Sequence, residues 1–258
     1  MKFALHVRTA RPAAEQFSLR LARELAQAGA EVSDDPESPP DMVLAVGGDG
    51  TMLAAISQAV TWDVPVLGFN LGTLGFLTAA EPGELSPVVE RLVSGDYQVE
   101  ERLTVSAAIG AVHATGINDV VVEKVDSTRL VSLAVMIDGS DFATYRADGL
   151  ITATPTGSTA YSFSAGGPIV DPAVDALVLT PVASHDLFNR SIVLPATSKV
   201  DVTVITDRPV RVNVDKRDLG EIGEGETVRI SKGARPARFV SFGTSTFPGL
   251  VRAKFGLS

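Results

Sequence analysis

The spacing of apolar residues changes character near residue 100. Before that point, apolar clusters alternate between strand-like runs and helix-like stripes. Residues 3–7 (FALHV) predict a strand, and residues 13–28 predict a helix, with Phe17, Leu21 and Leu25 on one face. Gly29 sits where a helix C-terminal glycine belongs. MVLAV (42–46) and PVLGFN (65–70) read as buried strands, and residues 51–60 and 84–93 as helices, with Pro87 in the first turn of the latter. Strand and helix in alternation predict a parallel sheet with helices on its faces.

After residue 100 the period shortens to two. LTVSAAI, NDVVVEK, LVSLAVMI, FATYRA and GLITAT follow in turn, then SIVLP, KVDVTVIT, PVRVNVD and ETVRISKG. All are short and turn-bounded, so this half reads as mostly β. Asp138-Gly139-Ser140-Asp141 is a hairpin signal. One segment, residues 154–172 (TPTGSTAYSFSAGGPIVDP), breaks the pattern with small and hydroxyl residues. The expected organisation is an α/β domain over 1–100 and a β-rich domain over 101–239. The tail, 240–258, can return to the first domain. No internal repeat or low-complexity linker is visible.

Composition narrows the functional classes. The chain has 258 residues, 45% of them apolar, a net charge of −9 and a pI near 4.8. No basic stripe points to nucleic acid. An acidic protein that takes an anionic ligand needs a bridging cation or a nest of donors. The chain contains no Cys, which excludes disulfides, thiolate metal sites and Cys nucleophiles. No apolar run approaches ~18 residues, so no spanning helix and no membrane partner are expected. The start, MKFALHVRTA, is too short and interrupted for a signal peptide. The expectation is a cytoplasmic protein.

Candidate chemistry begins at VLAVGGDGTM (43–52), where a buried strand runs into Gly-Gly-Asp-Gly-Thr. In open α/β sheets ligands bind at such carboxyl edges. Glycines admit a close ligand, and the following helix presents its positive end. A carboxylate in such a nest repels a phosphate, so Asp49 suits proton abstraction from a hydroxyl or a metal bridge. The alternative is that Asp49 caps the helix. NLGTLGFL (70–77) is a second glycine-spaced loop, but GxGxxG and GxxxxGK[ST] are both absent. Asn118-Asp119 supplies donors and acceptors suited to a ribose or a nicotinamide, or opens a strand. Arg146 and Asp148 can face phosphate and hydroxyl, or pair with each other. Thr156, Ser158, Thr159, Tyr161, Ser162 and Ser164 surround an expected helix start, a setting for polar ligand edges. His6, His113 and His185 show no metal-ligand spacing, and no GxSxG elbow exists.

Taken in order, GGDGT (47–51), LGTLGFL (71–77), NDVVVEK (118–124), DGLITATPTGSTAYSFSAGGPIV (148–170) and SHDLFNRSIVLP (184–195) resemble the NAD kinase family. GGDGT alone is shared with lipid kinases and, in variant form, with phosphofructokinases; the 148–170 segment is far more specific. The resemblance implies a Rossmann-like, phosphofructokinase-like α/β domain with a parallel sheet, followed by a mostly-β domain that binds NAD and oligomerises. It implies phosphorylation of the 2′-hydroxyl of the adenosine ribose of NAD by ATP or polyphosphate, with Mg²⁺ or another divalent cation on the nucleotide. No protein-held metal ligand set is implied. Asp49 matches the general base, and Gly50 and Phe76 lie in matching ligand loops. Asn118 and Asp119 match an Asn-Glu pair, here one methylene shorter. Arg146 and Asp148 match positions near the nicotinamide half. Thr159, Ala160, Tyr161, Ser162, Phe163 and Ser164 match the segment lining adenine and ribose. Ala183 and Arg129 match further contacts. Asp215 is kept from the family's Asp-Gly-Gln, whereas Lys216 and Arg217 replace Gly and Gln. They read as ligand-facing cations or as solvated hairpin residues. A homodimer or homotetramer is implied. The competing readings are a lipid or sugar kinase and an NAD(P)-binding module without turnover.

Overall fold

The computed structural model describes every residue except 8–11, 34, 36, 37, 73, 74, 244, 245 and 258. Part of the second glycine-spaced loop, Thr73 and Leu74, therefore lies outside the described residues. The chain divides into two compact units, Met1–Glu101 together with Ala237–Ser258, and Arg102–Pro236.

The first unit is built on a six-stranded sheet. Its elements are β1 (Lys2–Val7), α1 (Pro12–Gln27), β2 (Glu31–Val32), β3 (Met42–Gly47), α2 (Asp49–Trp62), β4 (Val66–Asn70), α3 (Leu85–Ser94) and β5 (Gln98–Arg102). β1 pairs in parallel with β2 and β3, and β3 with β4, as the alternating pattern predicts. Every residue of β3 and β4 is buried, as expected of strands covered on both faces. Met42, Leu44 and Val46 share a core with Phe17, Leu21 and Leu25 of α1 and Leu85, Val88 and Leu92 of α3. α2 buries Met52, Ala55, Ile56 and Ala59 and packs along β3, on the side of the sheet where Gly68 leaves room for Met52.

The second unit contains two antiparallel six-stranded sheets. Its elements are β6 (Val105–Ile109), β7 (Val112–Gly116), β8 (Asp119–Lys124), β9 (Val131–Ile137), β10 (Ser140–Ala147), β11 (Gly149–Ala153), a short helix α4 (Tyr161–Ser164), β12 (Ala176–Val182), β13 (Ile192–Pro195), β14 (Val200–Val204), β15 (Val210–Val214), β16 (Arg217–Ile222) and β17 (Thr227–Lys232). One sheet runs β10-β9-β14-β17-β6-β7 and the other β13-β12-β11-β8-β15-β16. Val200, Val202 and Val204 alternate with Asp201 and Thr203, and Val210, Val212 and Val214 with Arg211 and Asn213, so each strand turns its valines to one shared core. Asp138 (φ 52°) and Gly139 (φ 78°) form the tight turn between β9 and β10.

The chain then returns to the first unit. β18 (Ala237–Ser241) stands between β4 and β5, pairing in parallel with β4, and α5 (Phe247–Phe255) follows. Thr246 caps α5, its hydroxyl accepting from the Gly249 amide at 3.3 Å. Among the described residues no helix is long and apolar enough to cross a membrane.

Candidate functional site

β3 and β4 lie side by side in parallel, so both glycine-bearing loops leave the same edge of the first unit's sheet. Gly47 pairs with Asn70, and the Leu71 amide donates to the Gly47 carbonyl at 3.1 Å. The helix begins earlier than its apolar pattern predicts. Asp49 and Gly50 already form the first turn of α2, and Gly48 is the N-cap with no side-chain hydrogen bond. Asp49 is therefore not the cap; the Thr51 and Met52 amides turn to the Gly48 carbonyl instead.

The Asp49 carboxylate rests at the positive end of α2. Its Oδ1 is buried and has no hydrogen-bond partner among the described residues. The second loop covers it, since a Cβ at Gly75 would lie 2.2 Å from that oxygen. Only glycine permits this approach. Phe76, next in the chain, is half-buried.

In the second unit, Asn118 and Asp119 sit where β7 turns into β8. Asp215 organises this turn from the tip of the β15–β16 hairpin. Its carboxylate accepts from the amides of Ile117 (2.6 Å), Asn118 (2.8 Å) and Asp119 (3.2 Å). Asp215 thus serves as a clamp on the backbone, a role its position in a hairpin motif does not announce. Burial raises its carboxyl above the usual range, against the three amides and Arg217. Asp215 (φ 48°) and Lys216 (φ 67°) form the two-residue turn, so the strand-into-turn reading of VNVDKRDLG holds in the backbone. Arg217 is exposed, and its guanidinium donates to the Thr115 carbonyl.

The 154–170 segment covers the outer face of the sheet containing β8, β11 and β12, where Val121, Ile151, Ala153 and Val178 meet Ala165 and Val170. Thr154 stitches it down, with its amide donating to the Asn118 carbonyl (2.8 Å) and its hydroxyl to the Ile117 carbonyl (2.5 Å). The expected helix start is a 3₁₀ turn (Thr156–Thr159) followed by the single turn of α4. Half of its hydroxyls turn inward. Ser158 bonds to the Pro155 carbonyl (2.6 Å) and accepts from the Val170 amide (2.9 Å). Ser162 is fully buried with its hydroxyl 3.0 Å from Thr180. Thr159 and Ala160 are half-buried, while Tyr161, Phe163 and Ser164 are exposed.

The other sequence candidates divide between the two ends of β11. Asn118, Asp119 and the 154–164 turn lie at its C-terminal end. Asp148 lies at its start, joined to Lys124 at 2.5 Å rather than to Arg146. Arg146 is exposed, and its amide donates to Asp186 (2.6 Å). Ala183 (φ 48°) follows Val182, whose carbonyl accepts from the Asp148 amide. Tyr161 feels the charges at both ends. Its phenol is raised first by burial and then by the charges of Glu123, Asp148 and Asp119. Arg129 occupies an exposed turn beyond the far end of β8 from Asn118 and joins neither group.

Asp119 is buried, and among the described residues its carboxylate takes no hydrogen bond or ion pair. Burial, then the Asp215 charge, push its pKa to about 7, with Lys216 opposing. The folded state then holds a proton that the unfolded chain releases near 3.8. The stability contributed by this carboxyl is full below that value and falls as pH rises toward 7. Thermal melts from pH 4.5 to 7.5 should show Asp119→Asn gaining on the parent protein across that window; parallel profiles would contradict the assignment.

Sequence comparison is decisive on kinship. Residues 117–242 match the family model for the ATP-NAD kinase C-terminal domain, and residues 30–97 the one for the N-terminal domain. The chain belongs to the NAD kinase family. An NAD kinase of Moorella thermoacetica is 39% identical over 243 residues, covering 92% of this chain and 78% of the relative. One from Symbiobacterium thermophilum is 40% identical over 229 residues, covering 85% and 81%. A crystal structure of an NAD kinase from Archaeoglobus fulgidus in complex with ATP matches with a TM-score of 0.81 at 26% identity, over 98% of this chain and 99% of that one. Yeast NADH kinase, complexed with NADH, shares the fold with a TM-score of 0.89 at 22% identity, over 100% and 88%. The α/β first half and antiparallel second half expected from periodicity are thus those of the NAD kinase family.

Two close approaches in this chain carry little signal in its sequence. Gly157 approaches the Asn118 carbonyl so closely that a Cβ would lie 1.9 Å away, and Gly75 covers Asp49. The only sequence signal was that both glycines stand inside segments already marked as unusual.

Proposed function

We propose that this protein transfers the terminal phosphoryl group of ATP to the 2′-hydroxyl of the adenosine ribose of NAD, giving NADP. The observation that carries the reading is the Asp49 carboxylate, in the first turn of α2 at the edge of a parallel sheet, with a buried oxygen that no group among the described residues satisfies. A ribose hydroxyl is a poor nucleophile at neutral pH, and a carboxylate placed against it takes its proton as the phosphorus–oxygen bond forms. The α2 N-terminus offers free amides to phosphate oxygens beside Gly50.

In this reading the Asn118 amide is a ligand contact, since its hydrogen bonds among the described residues run through its backbone. Asp119 and the exposed edge of residues 159–164 line the adenine and ribose. Arg146, Asp148 and Ala183 take the nicotinamide half, and Phe76 the nucleotide near Asp49. Among the described residues no three carboxylate or imidazole groups gather to hold a metal. Mg²⁺ carried on the nucleotide is part of the same reading, because Mg²⁺ keeps several waters and is bound through one or two carboxylates plus substrate phosphates. When bound, the cation neutralises phosphate charge on an acidic protein. Inorganic polyphosphate is the alternative donor. Assembly as a homodimer or homotetramer is part of the same reading, and the exposed Phe142, Leu187 and Phe188 of the second unit favour it.

The test is NADP formation from NAD, ATP and Mg²⁺, detected with an NADP-specific dehydrogenase, with polyphosphate replacing ATP in a parallel reaction. Turnover of NAD is expected. Phosphorylation of diacylglycerol instead, or tight NAD binding with no turnover, would overturn the reading.

A further inference from the structure

α5 is bound to its own unit without burying a single residue. Two residues of its last turn nevertheless make directed contacts with Phe76. The Phe255 ring packs on the Phe76 ring at a centroid separation of 6.2 Å and a 45° tilt. The Lys254 ammonium stands 5.7 Å from the Phe76 centroid, within range of a cation–π contact. Phe76 follows Gly75 directly, and Gly75 is the residue pressed against the Asp49 carboxylate.

The geometry points to α5 as a strap that positions the catalytic base, with Phe255 and Lys254 acting through Phe76 and Gly75 as positioning residues for Asp49. This rests on the phosphoryl-transfer reading of Asp49. The physical logic is a short chain of contacts. Among the described residues Asp49 Oδ1 has no hydrogen bond to hold its rotamer, so its direction depends on what packs against it. That packing is backbone at Gly75, and the backbone is steered by the ring beside it. Phe76 is half-buried and keeps its place through the partners on its face. Neither the ring pair nor the ammonium touches the carboxylate, so neither takes part in proton transfer. Their effect is on where the acid points, and small misplacements of a reacting group cost rate steeply, on the order of 10²-fold per ångström.

Phe255→Ala should lower kcat about tenfold. KM for NAD should change less than kcat, because Phe255 itself is not one of the groups assigned to NAD and the loss falls first on where Asp49 points. Surface substitutions away from buried groups shift stability by at most about 0.5 kcal/mol, so Tm should move by no more than about 2 °C. Phe255→Tyr, which keeps the ring, should retain the parent kcat. In a Phe76→Ala background the Phe255→Ala change should add nothing further, since its route to Asp49 is already cut. Hydrogen exchange across residues 75–77, measured without substrate, should quicken in Phe255→Ala and not in Phe255→Tyr. A parent-like kcat in Phe255→Ala, an additive double variant, or unchanged exchange at 75–77 overturns the strap. If the parent protein makes no NADP, the catalytic reading fails on its own, and the exchange measurement still decides whether α5 controls the loop.

Discussion

Asp49→Asn should lower kcat by about 10²–10⁴-fold, the usual contribution of a positioned general base. The substitution keeps the shape and the volume of the side chain. It removes only the capacity to take a proton and the negative charge at the start of α2. Loss of that charge costs about 0.3–1 kcal/mol of helix-dipole stabilisation, so the protein remains folded. NAD affinity should change little, because the acid acts on the hydroxyl chiefly as its proton leaves. Steady-state kinetics with saturating ATP, together with isothermal titration of NAD, separate the two effects. A kcat within tenfold of the parent value would show that Asp49 orients ligand or phosphate without serving as base, and would remove the central step of the mechanism.

The second large effect is expected at Gly157. A Cβ there would lie 1.9 Å from the Asn118 carbonyl oxygen and 2.4 Å from its carbon. Both are backbone atoms, fixed by the Thr154 amide and by the Asp215 clamp. Nothing flexible stands ready to move aside. Gly157→Ala should therefore destabilise the second unit by about 3 kcal/mol or more, the upper end of overpacking costs. For a protein of this size that lowers the melting transition by roughly 6–12 °C. The displaced 156–164 turn should also weaken NAD binding. Gly223→Ala is the matched control, since its Cβ meets only the Glu226 side chain at 3.7 Å. Differential scanning calorimetry of the two variants tests the claim, and equal melting temperatures would refute it.

The elements legible in the sequence are those whose signal is local. Valines 200, 202 and 204 alternate with polar residues because one sheet face meets a core, and Asp138-Gly139 fits a turn that needs positive φ. The covered strands β3 and β4 read as continuous apolar runs for the same reason. What escaped depends on distant partners. Asp215 looks like an ordinary hairpin residue until its carboxylate is seen to gather three amides nearly a hundred residues away in sequence. Nothing in the sequence near Ser162 announces that its hydroxyl meets Thr180, eighteen residues on. The first turn of α2 was read as loop because two glycines and an aspartate have low helix propensity, and the sheet edge overrides that preference. Asp49 itself was singled out by its glycine surroundings, but only the fold shows that it does not cap the helix.

The insertion of β18 between β4 and β5 has a consequence for biosynthesis. The second unit is one uninterrupted stretch of chain and can fold as it leaves the ribosome. The first unit, although its opening strands are made earliest, waits for a strand translated after the whole of the second. Until then the apolar strand β4, buried along its whole length in the finished sheet, has an unpaired edge in the nascent polypeptide, an open invitation to chaperones and to misassociation. The unit that carries Asp49 is thus completed last, late in the protein's own synthesis.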